Sequence, residues 1–411
     1  MCYAPFNSLR FSLSGNIYSC CYNRYQSLGR YPEVTVRQAW NDIKANELRN
    51  ALESYDLSLG CHACFTKFTN KNYYSVGARI YDGYKVQKQG PSLMEFEISN
   101  VCNLECVMCN GENSSLIRKN REKGEPYPIL YDEAFIDQLK EFIPYLREAR
   151  FVGGEPFLSN LYFNIWETII NINPKTKISI LTNGTILHEK ILNLYKNHNV
   201  HISFSIDSII KETYEKIRIN AHYEEVMQNF QTIYQLSKIL KKDISVNICP
   251  IKLNMWEIPE MIDYYSNLGV CVFLHTVVYP ASLSLSMLSN KELSEYVDYL
   301  NIAMSKFRYK INFQAFKDFI ILIKGWQKNA ALNDNIIDSS IYDLKQKLKE
   351  KVIDILGSKT WNDLLTIIES IDNTDLQRKA FIGLLSLDVG YIKAELENNS
   401  FEQIKNRLLN I

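Results

Sequence analysis

The chain has 411 residues, ten of them cysteine, with Lys plus Arg and Asp plus Glu both at 46. That balance provides no overall field to gather nucleic acid or an anionic membrane, and no apolar run of roughly 18 residues is present to cross a bilayer. The N-terminus, Met1-Cys-Tyr-Ala-Pro-Phe6, lacks a charged segment followed by a long apolar core, so a soluble, cytoplasmic protein is expected, with its cysteines serving as metal ligands.

Length alone predicts two or three domains, because single cores stop growing near ~250–300 residues. Leu9, Phe11 and Leu13 alternate with polar residues, and Ser14-Gly15-Asn16 turns the chain into Ile17-Tyr18-Ser19, the pattern of a hairpin. The hairpin would return Cys2 towards Cys20 and Cys21. A helix is expected through Trp40, Ile43 and Leu48, followed by Cys61-His-Ala-Cys64. Cys2, Cys20, Cys61 and Cys64 then make a set of four metal ligands. Cys21 is the rival of Cys20, since adjacent residues of a strand face opposite ways and one must point away. Zinc fits four such thiols as an iron–sulfur cluster does, and an iron left open to a substrate is a third outcome. Tyr81 to Ser92, with Gly83 and Gly90-Pro91, reads as a linker.

Met94-Glu-Phe-Glu-Ile98 begins a second unit and places a cysteine loop at its C-terminal end. Cys102, Cys106 and Cys109 supply three thiolates within eight residues, enough for three irons of a [4Fe–4S] cube, and leave the fourth iron without a protein ligand. Structural zinc or iron sites close their coordination with a fourth residue, so an open iron marks a place where a small molecule binds. Zinc is the competing occupant of the triad taken by itself. Asp132 to Leu146 reads as a helix with Phe135, Leu139, Phe142 and Leu146 on one face. The short strand Arg150-Phe-Val152 runs into Gly153-Gly154-Glu155-Pro156. Strands at about 177–182, 200–206, 243–249 and 271–278 alternate with helices near 159–170, 188–197, 222–238 and 257–267. Six β-α units in this order predict a parallel sheet with helical crossovers.

From about Leu288 the pattern is helical. Leu344, Leu348, Val352 and Ile355 form one stripe closed by Gly357, and Thr360-Trp-Asn-Asp363 has the form of a capping box ahead of Leu364, Ile368 and Ile371. These stripes are packing surfaces or a platform for a peptide or carrier-protein substrate.

The cysteine triad resembles that of the radical S-adenosylmethionine (SAM) superfamily, and three later segments match it in the same order. Gly153-Gly154-Glu155-Pro156 resembles the motif that receives the SAM amino group. Leu181-Thr-Asn183-Gly-Thr185 ends the next strand as in the family, and Phe204-Ser-Ile-Asp-Ser208 ends the one after. The resemblance implies that Ser205 and Asp207 bond the ribose hydroxyls and that Arg218 takes the SAM carboxylate. Met108, where the family usually has an aromatic residue, would pack against adenine. The implied fold is α/β, a partial (β/α)6 TIM-like barrel over residues 94–285 with these motifs at the C-terminal ends of its strands. A module at 1–80 and a linker at 81–93 precede it, and a helical extension at 286–411 follows. The C-x12-G-x4-C pattern from Cys2 to Cys20 is similar to the start of a SPASM or twitch domain, which implies one auxiliary [4Fe–4S] cluster, here ahead of the barrel.

The family's chemistry takes one electron from an external donor such as flavodoxin or ferredoxin. It cleaves SAM reductively to methionine and a 5′-deoxyadenosyl radical, which abstracts a substrate hydrogen. SPASM and twitch enzymes often modify ribosomal peptides or proteins, so oxidation, cross-linking or epimerisation of a peptide is the first expectation. A dehydrogenase or epimerase acting on a sugar or amino-acid derivative is the second. A non-catalytic iron–sulfur redox sensor is the third, although it makes no use of Glu155, Asp207 and Arg218. Asn247 and Cys249 are two apart on one strand and share a face; the Cys249 thiol is either a hydrogen-atom donor or a small buried hydrophobe. His275 is either a substrate or proton-transfer residue or a packed core histidine.

Overall fold

The computed structural model describes residues 1–69, 73, 76–277, 280–337, 339–387 and 389–409. Strands β1 (Ser8–Ser12) and β2 (Asn16–Tyr18) are the expected hairpin, turned at Gly15 with φ +86°, and β3 (Gly29–Arg30) pairs antiparallel outside β2. Six further strands follow: β4 (Leu93–Glu97), β5 (Glu148–Phe151), β6 (Lys177–Thr182), β7 (Val200–Ser205), β8 (Ile244–Ile248) and β9 (Cys271–Leu274). Each is parallel to the next, and all nine make one sheet in the order β3-β2-β1-β4-β5-β6-β7-β8-β9.

Alternation along the strands separates two faces. Phe11, Phe96, Phe151, Ile180, Ile202 and Ile244 lie level with one another across six strands, and all are buried. Helices Asn160–Ile172, Glu189–Asn197, Tyr223–Leu240 and Ile258–Asn267 form the crossovers between β5 and β9, and their apolar residues join this core. One residue out of step, Arg10, Glu95, Arg150, Ser179 and His201 form a polar row on the opposite, inner face. The fold is therefore the expected mixed α/β barrel sheet, dry outside and polar within.

The N-terminal segment is not set apart from the barrel. β1 pairs with β4 over five residues, from Ser8 with Leu93 to Ser12 with Glu97. Phe96 stacks between Phe11 at 5.3 Å and Phe151 at 4.8 Å, so losing its ring would cost about 3–5 kcal/mol across both parts. Residues 81–93 are docked instead of loose: Asn7 Nδ2 donates to the carbonyls of Tyr81 at 2.9 Å and Tyr84 at 3.0 Å, and Ser92 N–H donates to Asn7 C=O at 2.8 Å. A parallel partner far away in sequence leaves no local trace, which is why the boundary read as a linker.

Other elements differ in extent. The run Asp132–Leu146 is a helix only over Glu133–Leu139, followed by a 3-10 turn at Ile143–Tyr145, because Pro144 has no N–H and disfavours helical geometry before it. The helix through Trp40 and Leu48 is two, Val36–Asn41 and Ile43–Glu53, divided at Asp42, with Ile43 exposed. The C-terminal extension also divides. Helices Asn290–Lys306 and Phe313–Ile337 contribute Leu293, Tyr296, Phe319 and Ile323 to the barrel core, whereas the chain from Ile341 onward builds a core of its own around Leu348, Trp361, Ile368 and Phe381. Gly357 interrupts the run Ile341–Glu369 at φ +83°. Ile355 falls outside that core at 44% exposure, and Thr360 donates to the Leu356 carbonyl at 3.1 Å instead of capping. Residue 278, the expected end of the last strand, lies outside the described residues. No helix among the described residues is long and apolar enough to cross a membrane.

Candidate active site

The loop after β4 is held from both sides. Glu105 and Val107 donate their N–H groups to the carbonyls of Ile219 at 3.1 Å and Ile217 at 2.9 Å. Arg121 Nη2 reaches the carbonyls of Glu105 at 2.7 Å and Cys106 at 2.9 Å. Two donors are aimed at the thiols: Asn183 Nδ2 lies 3.9 Å from Cys102 Sγ, and Arg218 Nη1 3.8 Å from Cys106 Sγ. Burial pushes the Cys102 thiol up to about 11 and that of Cys109 higher still, so thiolates here need a cationic partner. Among the described residues no three His, Cys, Asp or Glu side chains converge on a single metal ion. Tetrahedral zinc, with bonds of about 2.3 Å, would draw its sulfurs to within about 3.8 Å of one another. A cube gives each thiolate its own iron, and thiols with donors at the sulfurs of Cys102 and Cys106 fit one.

Behind the loop, Gly153 and Gly154 have φ of +82° and +57°. A Cβ on Gly153 would sit 2.8 Å from Glu97 Cγ, and one on Gly154 would sit 2.8 Å from Asn100 C, so only glycine lets this turn lie against the strand that carries the cysteines. Glu155 is 1% exposed. Its Oε1 accepts from Phe157 N–H at 3.1 Å and Thr182 Oγ1 at 2.8 Å, and its Oε2 accepts from Asn183 N–H at 2.7 Å. Burial nonetheless pushes this carboxyl up to about 7. Glu155 thus ties the turn after β5 to the end of β6, where Asn183 also bonds Asn103 of the cysteine loop at 2.9 Å.

The Asp207 carboxylate is wholly buried: Oδ2 accepts from Nε and Nη2 of Arg218, both at 2.7 Å, and Oδ1 accepts the Cys249 N–H at 2.6 Å. A carboxylate removed from water pairs with the nearest guanidinium, so Asp207 orients Arg218. Ser205 lies level with Asn247 across β7 and β8, and Met108 is partly buried against the barrel core. Cys249 is drawn to the cysteine loop: after burial, which pushes its thiol up, the groups acting on it are Asp207, Arg218, Cys106 and Cys109. His275 is no packed core residue. Its side chain is exposed, and Nε2 lies 2.6 Å from Asn247 Oδ1.

A second set of thiols gathers near the opposite end of β4, where Cys20 packs with Leu93. Cys20 Sγ accepts from Asn23 N–H at 3.3 Å, and Asn23 Nδ2 lies 3.8 Å from Cys61 Sγ. Cys2 packs with Cys20 beside Tyr81, and the thiols of Cys2, Cys61 and Cys64 act electrostatically on one another. Cys21 Sγ lies 3.9 Å from Tyr81 Oη, and after burial, which pushes its thiol up, the charges acting on it are Glu95 and Arg10. Asn23, Tyr81 and Asn103 were not among the residues expected from sequence. Only Asn23, three residues beyond Cys20, had a local signal to offer.

The radical SAM superfamily matches residues 96–265, and the iron–sulfur cluster-binding domain SPASM matches residues 2–65. The GTP 3′,8-cyclase of Trichodesmium erythraeum is 29% identical over 169 residues, 40% of this chain and 47% of the relative. A probable GTP 3′,8-cyclase of Methanococcus maripaludis is 26% identical over 191 residues, 44% of this chain and 58% of the relative. The chain thus spans about half the length of these curated relatives. Among solved structures, anSMEcpe with bound AdoMet aligns at TM-score 0.42 and 18% identity over 54% of this chain and 61% of its own. Streptococcus suis SuiB bound to S-adenosylmethionine aligns at 0.41 and 12% over 66% of this chain and 62% of its own.

Proposed function

From a chain whose residues 96–265 are a radical SAM domain and whose residues 2–65 are an iron–sulfur cluster-binding domain, we propose a radical SAM enzyme that modifies a peptide or protein. Its cofactors are a [4Fe–4S] cluster, SAM and an auxiliary iron–sulfur cluster. Bound at the barrel mouth, cluster and SAM supply a 5′-deoxyadenosyl radical able to take hydrogen from an unactivated C–H bond. Cys102, Cys106 and Cys109 hold the first cluster, with Asn183 and Arg218 donating to its thiolates. Gly153, Gly154 and Glu155 shape the SAM amino-group pocket. Cys2, Cys20, Cys61 and Cys64 hold the second cluster. The observation that carries this reading is that the two thiol sets flank the same strand: Cys102, Cys106 and Cys109 follow the C-terminal end of β4, and Cys20 packs with Leu93 at its N-terminal end. An external flavodoxin or ferredoxin supplies the electron.

The peptide substrate is favoured by the charges on that face. Arg10 is bound to Glu97, and Arg150 to Glu148 at 3.0 Å and Glu95 at 3.7 Å. A small cleft beside them combines Arg10, Ser12, Tyr18, Arg24, Glu97 and Glu112. Paired charges suit a dipolar ligand such as a peptide better than a polyanion. The second reading, a small-molecule substrate, is supported by the names of the curated relatives, which are GTP cyclases. The test is anaerobic reconstitution, expected to yield about eight irons in two cubes and 5′-deoxyadenosine from SAM. Replacing Cys102, Cys106 and Cys109 together by Ala should leave about four irons and end SAM cleavage. Cleavage that persists in this variant refutes the assignment. Mass spectrometry of parallel reactions with GTP and with peptides encoded beside the gene separates the two substrate classes.

A further inference from the structure

The inner face also carries a continuous hydrogen-bonded row that none of the SAM-binding segments uses. His201 Nε2 lies 2.9 Å from Ser245 Oγ, which lies 2.6 Å from Ser203 Oγ. Asn247 Nδ2 bonds Ser203 Oγ, and Asn247 Oδ1 lies 2.6 Å from His275 Nε2. The row crosses β7 and β8 and ends just beyond β9, at the C-terminal edge of the barrel, where function gathers in such folds.

The hydrogens along this row follow from the Asn247 amide. Its Nδ2 donates to Ser203 Oγ and its Oδ1 faces His275 Nε2. A carbonyl oxygen only accepts, which makes His275 Nε2 the N–H nitrogen. At the other end burial holds His201 down at about 4, so that ring is neutral at ordinary pH. Ser203 turns its O–H to Ser245, and Ser245 turns its own to His201 Nε2, which then carries no hydrogen. Nδ1 of His275 is left with a lone pair, on an exposed side chain.

We propose that His275 orients the substrate: its Nδ1 accepts a hydrogen bond from a substrate N–H or O–H, while the row from His201 to Asn247 holds the ring in the Nε2–H form. This rests on the reading of the barrel as the catalytic domain. A carbonyl or carboxylate brought to Nδ1 would oppose lone pair to lone pair, so the row selects ligands that present a donor at this point. A peptide N–H meets that requirement. Burial lowers the His275 pKa and favours the neutral ring, and the charged group acting on it is Asp207, already bound by Arg218.

The test uses oxidised holoenzyme labelled with nitrogen-15 at its six histidines. His201 should show the Nδ1–H tautomer and His275 the Nε2–H tautomer. N-methylacetamide, a peptide-bond mimic with an N–H, should move the His275 Nδ1 resonance severalfold more than N,N-dimethylacetamide, which has none. Ser203→Ala and, separately, Asn247→Leu should abolish that difference while leaving His275 in place. Equal responses to the two amides, or a wild-type His275 with its hydrogen on Nδ1, overturn the proposal. Neither readout involves SAM cleavage, so failure here is distinct from failure of the radical SAM reading.

Discussion

Arg407, in the last helix, donates through Nε to Oε1 of Glu122 at 2.9 Å, across 285 residues of chain. Both side chains are almost dry, and the same Oε1 accepts the N–H of Gly111 at 2.7 Å, two residues beyond Cys109. Arg407 also pairs with Glu395, and Asn399 accepts from Tyr127 at 2.9 Å. The C-terminal helices are thereby fastened to the back of the cysteine loop.

Arg407→Ala should destabilise the protein by about 3 kcal/mol, since it strips a buried carboxylate of its main partner while Arg118 remains nearby. Urea unfolding measures this, and iron content after reconstitution should fall alongside. Stability within about 0.5 kcal/mol of wild type would show that the latch is not formed.

Cys20→Ser should remove about four irons from the reconstituted protein, whereas Cys21→Ser should remove none. The basis is that Cys20 and Cys61 share Asn23 as a neighbour, whereas Cys21 lies against Tyr81 Oη. Iron and sulfide analysis decides it, and the reverse pattern would exchange their roles.

Gly154→Ala should abolish SAM binding, because a methyl group at φ +57° would drive into the backbone at Asn100 and Val101. Equilibrium binding of SAM to the reconstituted variant is the measurement, with Gly83→Ala, at an open position, as the control.

Asp207→Asn and Arg218→Lys should each weaken SAM binding roughly tenfold or more, the loss of a charge-assisted bond worth about 1.5–3 kcal/mol. If Asp207 acts through Arg218, the two losses will not add, and the double variant will resemble either single one. Additive losses would restore Asp207 to an independent contact with SAM.

His201 makes stability depend on pH in a known direction. Burial lowers its pKa from 6.5 to about 4, so between those values only the unfolded chain binds the proton. The stabilisation present above about pH 6.5 is lost as pH falls towards about 4, by up to about 3 kcal/mol. His201→Gln should flatten that part of the profile in urea unfolding at pH 7 and pH 5. An unchanged slope would mean that the ring is not buried as a neutral group.

What could be read along the chain was whatever neighbouring residues decide together. The spacing of Cys102, Cys106 and Cys109, the positive-φ glycines at 153 and 154, the turn at Gly15 and the alternation of strands with amphipathic helices all express local geometry, and the sheet has the strands they imply. The choice between Cys20 and Cys21 was not legible: both lie beyond β2 in bends, where strand alternation does not hold, and their different neighbours, Asn23 for Cys20 and Tyr81 Oη for Cys21, come from tertiary packing.

Tertiary structure alone decided the rest, because it depends on groups that meet only after the chain closes. The parallel pairing of β1 with β4 joins what read as two modules, and the partition of the C-terminal helices between two cores follows from which apolar faces meet. The partner of a buried carboxylate is set by competition in a dry interior, where the nearest guanidinium wins. That is why Asp207 holds Arg218, and why Glu122 waits for an arginine 285 residues away.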